Sequence, residues 1–95
     1  MVEDYLNDPE FLPIRQAYLD DLRTKAPEML LAARNREFES VRSFGHNLKG
    51  NGTSYGFQSI SDWGAEIEQA AIQGDQETLL DRLPRLIDYL KTVSL

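Results

Sequence analysis

The sequence predicts an all-α protein, an antiparallel up-down-up-down four-helix bundle with a short N-terminal lead-in. Three observations carry this. Apolar residues recur at helical spacing through four stretches of the chain. Short turn signals separate those stretches: Asn35-Arg36, Thr53 to Tyr55, and Gly74-Asp75. No segment alternates apolar and polar residues with period two for long enough to form a strand. Amphipathic helices joined by short links pack as antiparallel neighbours.

Met1 to Asn7 reads as the lead-in, with Val2, Tyr5 and Leu6 available to cap one end of the bundle. Asp8-Pro9 reads as an N-cap followed by proline at the first helical position. Helix one then runs to about Ala33 on the stripe Phe11, Ile14, Tyr18, Leu22, Ala26, Met29 and Ala33. Pro13 lies near the first turn, where proline is tolerated, whereas Pro27 should kink or split the helix. Asn35 is the residue expected to take a left-handed conformation in the turn that follows.

Helix two spans about Glu37 to Gly52, with Phe38, Val41, Gly45, Leu48 and Gly52 in a 3-4-3-4 stripe. Gly45 and Gly52 should each cost it about 0.5–1 kcal/mol relative to alanine, softening the helix. Thr53 to Tyr55 form the connection, and helix three lies between Gly56 and Gly74. Its buried stripe is Phe57, Ile60, Trp63, Gly64, Ile67, Ala70 and Ala71, and Gly64 would let a neighbouring helix come close. Gln58, Asp62, Glu66 and Gln69 should face water; the acidic pairs Glu66/Glu68 and Asp20/Asp21 read as solvated. Gly74 caps the helix, and Asp75 is the next N-cap. Helix four covers Gln76 to about Thr92, apolar through Leu79, Leu80, Leu83, Leu86, Ile87, Leu90 and Val93, with a bend expected at Pro84.

At 95 residues the chain is read as one domain. It has no cysteine, which excludes disulfides, thiolate metal sites and thiol nucleophiles. The N-terminus lacks the basic-then-apolar pattern of a signal peptide, and no apolar stretch is long enough for a membrane span, so a soluble cytoplasmic domain is expected. A formal net charge of −6 argues against nucleic-acid binding. The charge is uneven: residues 34–49 carry Arg34, Arg36, Arg42 and Lys49 against Glu37 and Glu39. Such a run is either a solvated helix face or a landing patch for an acidic partner.

The one histidine, His46, follows Gly45 and is therefore rotated by about 100° from the apolar stripe, beside the core. Arg42, Lys49 and Thr53 share its side of the helix, and Ser43 and Gly50 flank it on the other. An imidazole with a cation one turn away and a glycine next to it is open to something bulky and anionic, such as a phosphoryl group. Its unperturbed pKa of about 6.5 leaves much of the ring neutral and nucleophilic at physiological pH. Lys49 could neutralise part of an incoming phosphoryl charge. There is no phosphate-binding loop for ATP, and a single histidine builds no multi-histidine metal site. Ser43 reads as a plain surface residue, Trp63 as core and Tyr55 as loop packing.

His46, Lys49, Gly50 and Gly56 match H-x-x-K-G-x-x-x-x-x-G, and the chain thereby resembles the histidine-containing phosphotransfer (HPt) domains of two-component phosphorelays. The resemblance extends through the Gly74-Asp75 turn and Pro27, from about Pro9 to Leu90; Gly45 departs from it, standing where alanine is expected. It implies a phosphorelay intermediate in which His46 is the phosphoacceptor and Lys49 stabilises the phosphoryl charge. It implies docking through Arg42, Ser43, Gly50 and Thr53 to response-regulator receiver domains or a hybrid sensor histidine kinase. It further implies a monomeric phosphocarrier without kinase activity that binds no cofactor, the magnesium ion being held by the receiver. A non-phosphorylated helical adaptor is the alternative, although an adaptor has no need of the imidazole. The dimerising phosphoacceptor domain of a sensor kinase fits less well, because Asn47 stands where an acidic residue follows the histidine there, and the expected later proline is missing.

Overall fold

The computed structural model describes residues 2–95, with side chains from Tyr5 onward; the expectations for Met1 and for the Val2 side chain lie outside what is described. A 3₁₀ lead-in, Val2–Asn7, precedes helices α1 (Leu12–Arg34), α2 (Phe38–Asn51), α3 (Gln58–Ile72) and α4 (Gln76–Thr92), and a 3₁₀ link, Thr53–Tyr55, joins α2 to α3. Among the described residues there is no strand. Helix α2 packs most extensively on α3 and α1 on α4, and the α3–α4 and α1–α2 contacts close the ring. The four-helix bundle measures 40 × 23 × 16 Å. Leu19, Val41, Ile60, Ile67, Leu79, Leu83 and Leu86 are wholly inaccessible at its centre.

Most helix ends follow from local chemistry. Helix α3 ends with Gly74 at φ 65°. The Asp75 N–H donates to the Ala70 carbonyl (2.8 Å) and the Gly74 N–H to that of Ala71 (3.1 Å), so the last carbonyls are satisfied. Asp75 then caps α4, accepting from the Thr78 N–H (3.1 Å) and the Thr78 hydroxyl (2.6 Å). The same closing motif ends α1, with the Glu37 N–H on the Ala32 carbonyl (2.9 Å). Here the left-handed residue is Arg36 (φ 59°), while the expected Asn35 stays at φ −91°. The reason is that α1 continues to Arg34, which moves the left-handed position one residue on.

The start of α1 and parts of the apolar stripes are corrected, and α1 and α4 are continuous through their prolines. Helix α1 starts at Leu12, after Asp8 folds into its own turn by accepting the Glu10 N–H (2.9 Å); Pro13 thus falls in the first helical turn. Pro27 does not split α1. The turns around Pro27 are fastened to α4: Leu22 and Ala26 are buried, and the Arg23 guanidinium donates to the carbonyls of Leu90 (2.7 Å) and Val93 (2.9 Å). Helix α4 likewise runs unbroken through Pro84. The apolar stripes are also shifted. Leu19 and Phe44 are buried, Ile14 and Leu80 are exposed, and Trp63 is half-buried with its edge against Tyr89. Ile14 is left outside because the first turns of α1 pack instead through Phe11, Arg15 and Tyr18. Tyr18 stacks on Tyr55 at 4.1 Å, Phe11 stacks on it at 6.0 Å, and Arg15 Nε donates to the Tyr55 carbonyl (2.9 Å). Tyr5 caps this end, with its hydroxyl on the Ser54 carbonyl at 2.6 Å.

The closest helix contact is the α2–α3 seam. A Cβ on Gly64 would lie 2.5 Å from the Lys49 backbone nitrogen and 2.6 Å from Leu48 Cβ. One on Gly45 would lie 2.6 Å from the Glu68 backbone nitrogen and 2.9 Å from the Gly64 carbonyl oxygen. Both obstacles include backbone, which no side-chain rotation can clear. The glycines that weaken α2 as an isolated helix are therefore what lets it touch α3, and alanine at position 45 has no room. Gly45→Ala and Gly64→Ala should each force the helices apart and lower stability by about 1–3 kcal/mol, the usual range for overpacking. Denaturant and thermal melts check this, and unchanged midpoints would refute the seam as described.

Candidate functional site

The seam decides what lies beside His46. With Gly45 pressed on the α3 backbone at Glu68, the next residue of α2 and the one a turn later both reach the Glu68 carboxylate. Nδ1 of His46 lies 2.7 Å from Glu68 Oε2, and Nζ of Lys49 lies 2.7 Å from Glu68 Oε1. The Glu68 side chain is only 12% exposed, against 61% for His46 and 50% for Lys49. One nearly buried carboxylate therefore holds the imidazole and the ammonium from below, while both remain open to solvent above.

This corrects the expectation that Glu68 is solvated. Its partner in that reading, Glu66, is indeed exposed and takes Arg82 Nε at 3.2 Å. A signal for Glu68 existed in the sequence: it stands one turn after Gly64 and so shares the face on which α3 receives another helix. What the sequence did not disclose was that Gly45 is the opposing residue.

Lys49 foremost, and then His46, hold the Glu68 carboxyl below its ordinary value of 4.5, against the opposing effect of burial. An ionised carboxylate can only accept, so the His46 proton resides on Nδ1 and donates to Glu68. Nε2 then keeps its lone pair, on a side chain that is 61% exposed. A carboxylate in this position fixes the tautomer and stabilises any positive charge that forms on the imidazole.

The other residues singled out from the sequence surround this group unequally. Ser43, Gly50 and Thr53 are exposed. A Cβ on Gly50 would meet nothing within 4 Å, so this glycine serves no helix contact. Thr53 is tied into the link, its N–H donating to Ser61 Oγ at 2.8 Å. Arg42 is half-buried and paired with Glu39 at 2.6 Å. With Arg42 and Lys49 both matched by carboxylates, the basic run of residues 34–49 is largely neutralised around His46, leaving Arg34 and Arg36 exposed at the far end of α2. Among the described residues, no three side chains are grouped to hold a metal ion, and no helix is long and apolar enough to cross a membrane.

A family model for the Hpt domain matches residues 13–93, which takes in all four helices almost entirely. The chain belongs to the Hpt domain family. The family assignment supports a general role in phosphotransfer. Neither a curated protein nor a solved structure matches the chain. The Hpt match begins after the lead-in, so the contacts of Tyr5 and Phe11 on the link are additions to the matched region.

Two outcomes follow from this geometry. Because the folded state holds the Glu68 proton less tightly than the unfolded chain does, the stability from the Glu68 contacts is present above about pH 4.5 and is lost as pH falls below it. The melting-temperature difference between the native protein and Glu68→Gln should therefore be clear at neutral pH and shrink in acid; an equal difference at both would contradict the assignment. Gly50→Ala, placed in open space on a helix, should raise stability by about 0.5–1 kcal/mol in the same melts.

Proposed function

We propose that this Hpt domain is a phosphorelay intermediate that takes a phosphoryl group on His46 from the aspartyl phosphate of one receiver domain and passes it to another. The observation that carries the reading is that Glu68 engages Nδ1 of an imidazole whose side chain is 61% exposed, which leaves Nε2 as the nitrogen available for attack. Nε2 attacks phosphorus, the P–O bond to the receiver aspartate breaks, and its electrons return to the aspartate carboxylate. The ring keeps its Nδ1 proton and becomes a cation, which Glu68 balances. Phosphoryl transfer depends mainly on positioning and charge stabilisation, and Lys49 is one turn away to meet the phosphoryl oxygens. Magnesium belongs to the receiver in this scheme.

Ser43, Gly50, Arg42 and Thr53 form the surface on which the receiver lands, and the absence of a side chain at Gly50 keeps its approach to the ring clear. The domain acts as a cytoplasmic monomer and binds no cofactor of its own. A purely structural adaptor accounts less well for a nearly buried carboxylate directed at an exposed imidazole.

Incubation with a phosphorylated receiver and magnesium should place acid-labile, base-stable phosphate on His46 at Nε2. His46→Gln should fold and take up none. Lys49→Ala should fold and either slow transfer or shorten the lifetime of the phosphohistidine. Equal labelling of His46→Gln would end the reading.

A further inference from the structure

We propose that Lys49 changes partner when His46 is phosphorylated, leaving Glu68 for the phosphoryl oxygens, so that Glu68 is a positioning residue that holds this cation in reserve. The inference rests on the reading of His46 as the phosphoacceptor, and it follows from the charge balance of two groups that share one carboxylate.

In its neutral, nucleophilic form the imidazole gives Glu68 a hydrogen bond without a charge. A nearly buried carboxylate is costly to leave without a countercharge, and Lys49 supplies it at 2.7 Å. Arg42, the other cation acting on Glu68, is occupied by Glu39 at 2.6 Å and does not replace Lys49. The resting site is thus electrically closed, and Lys49 is not displayed to solvent as a free charge.

Phosphorylation inverts this arrangement. The ring, now phosphorylated on Nε2 and protonated on Nδ1, carries its own positive charge against Glu68 through the bond already in place. Glu68 no longer requires Lys49, while a dianionic phosphoryl group has appeared on the exposed side of the ring. Lys49 is half exposed, lies three residues from His46 on the same helix, and ends in a flexible stem. It can swing outward with no movement of the backbone. When the phosphoryl group leaves, the ring becomes neutral again and Glu68 recaptures the ammonium. One carboxylate therefore serves both states, and the cation follows the negative charge that lacks a partner.

The test loads His46 with phosphoramidate, a small donor, so that no receiver is needed. The donor P–N bond breaks with its electron pair, ammonia departs, and a P–Nε2 bond forms. The reporter is the carboxyl carbon-13 resonance of Glu68, assigned by its loss in Glu68→Gln, compared between the native protein and Lys49→Ala with and without phosphate. In the unphosphorylated protein Lys49→Ala should shift this resonance; in the phosphorylated protein it should leave it unchanged. A shift of equal size in both states would overturn the exchange and leave His46 standing as phosphoacceptor. Failure of phosphoramidate to load His46, with the resting Glu68 signal intact, would overturn the exchange together with the acceptor reading beneath it.

Discussion

The backbone contact between α2 and α3 at Gly45 and Gly64 is the constraint on which the site depends. Side chains at these two positions would force the helices apart and carry the Glu68 backbone away from residues 46 and 49. Here the absence of both Cβ atoms brings the α3 backbone against α2, and the Glu68 side chain emerges between the two cation-capable groups. Fold and site share one cause: the glycines that lower helix propensity in α2 and α3 let the two backbones meet where Glu68 faces His46 and Lys49.

That contact also explains how an exposed histidine can be held in one tautomer. Surface ion pairs contribute little because water competes for both partners. In this site the acceptor is nearly buried and the donors are exposed, so the carboxylate is shielded while the imidazole stays open to solvent. Lys49 is the counterion to a carboxylate that burial would otherwise push toward protonation. The surface around the ring is consequently small and largely neutral, despite the arginines nearby in sequence.

The far end of the site is fixed by different means. The link Thr53–Tyr55 carries the chain from α2 to α3, and Tyr55 stacks with the rings of Phe11 and Tyr18. Tyr18 also donates to Asn51 Oδ1 (2.6 Å), and burial, aided by Tyr55, raises its phenol pKa, keeping it a donor. The end of α2 is thus held from α1 by aromatic stacking, and from α3 by Ser61 Oγ beneath the Thr53 N–H.

The sequence by itself determined the class of fold, the extents of α2, α3 and α4 to within a residue or two, the Gly74-Asp75 turn, and the place of His46 beside the core. Each of these rests on local physics: helical periodicity, capping chemistry, and the angle between neighbouring residues on a helix. The motif around His46 also named the family. The tertiary structure alone decided that Glu68 is drawn under His46 and Lys49, that Arg42 is occupied by Glu39, that Gly50 faces open space while Gly45 and Gly64 do not, and that Pro27 leaves α1 unbroken. These depend on which helix faces meet and in what register. Periodicity marks a face as buried but does not say what lies opposite, and a glutamate and a glycine each look alike in sequence whether they meet a neighbouring helix or water.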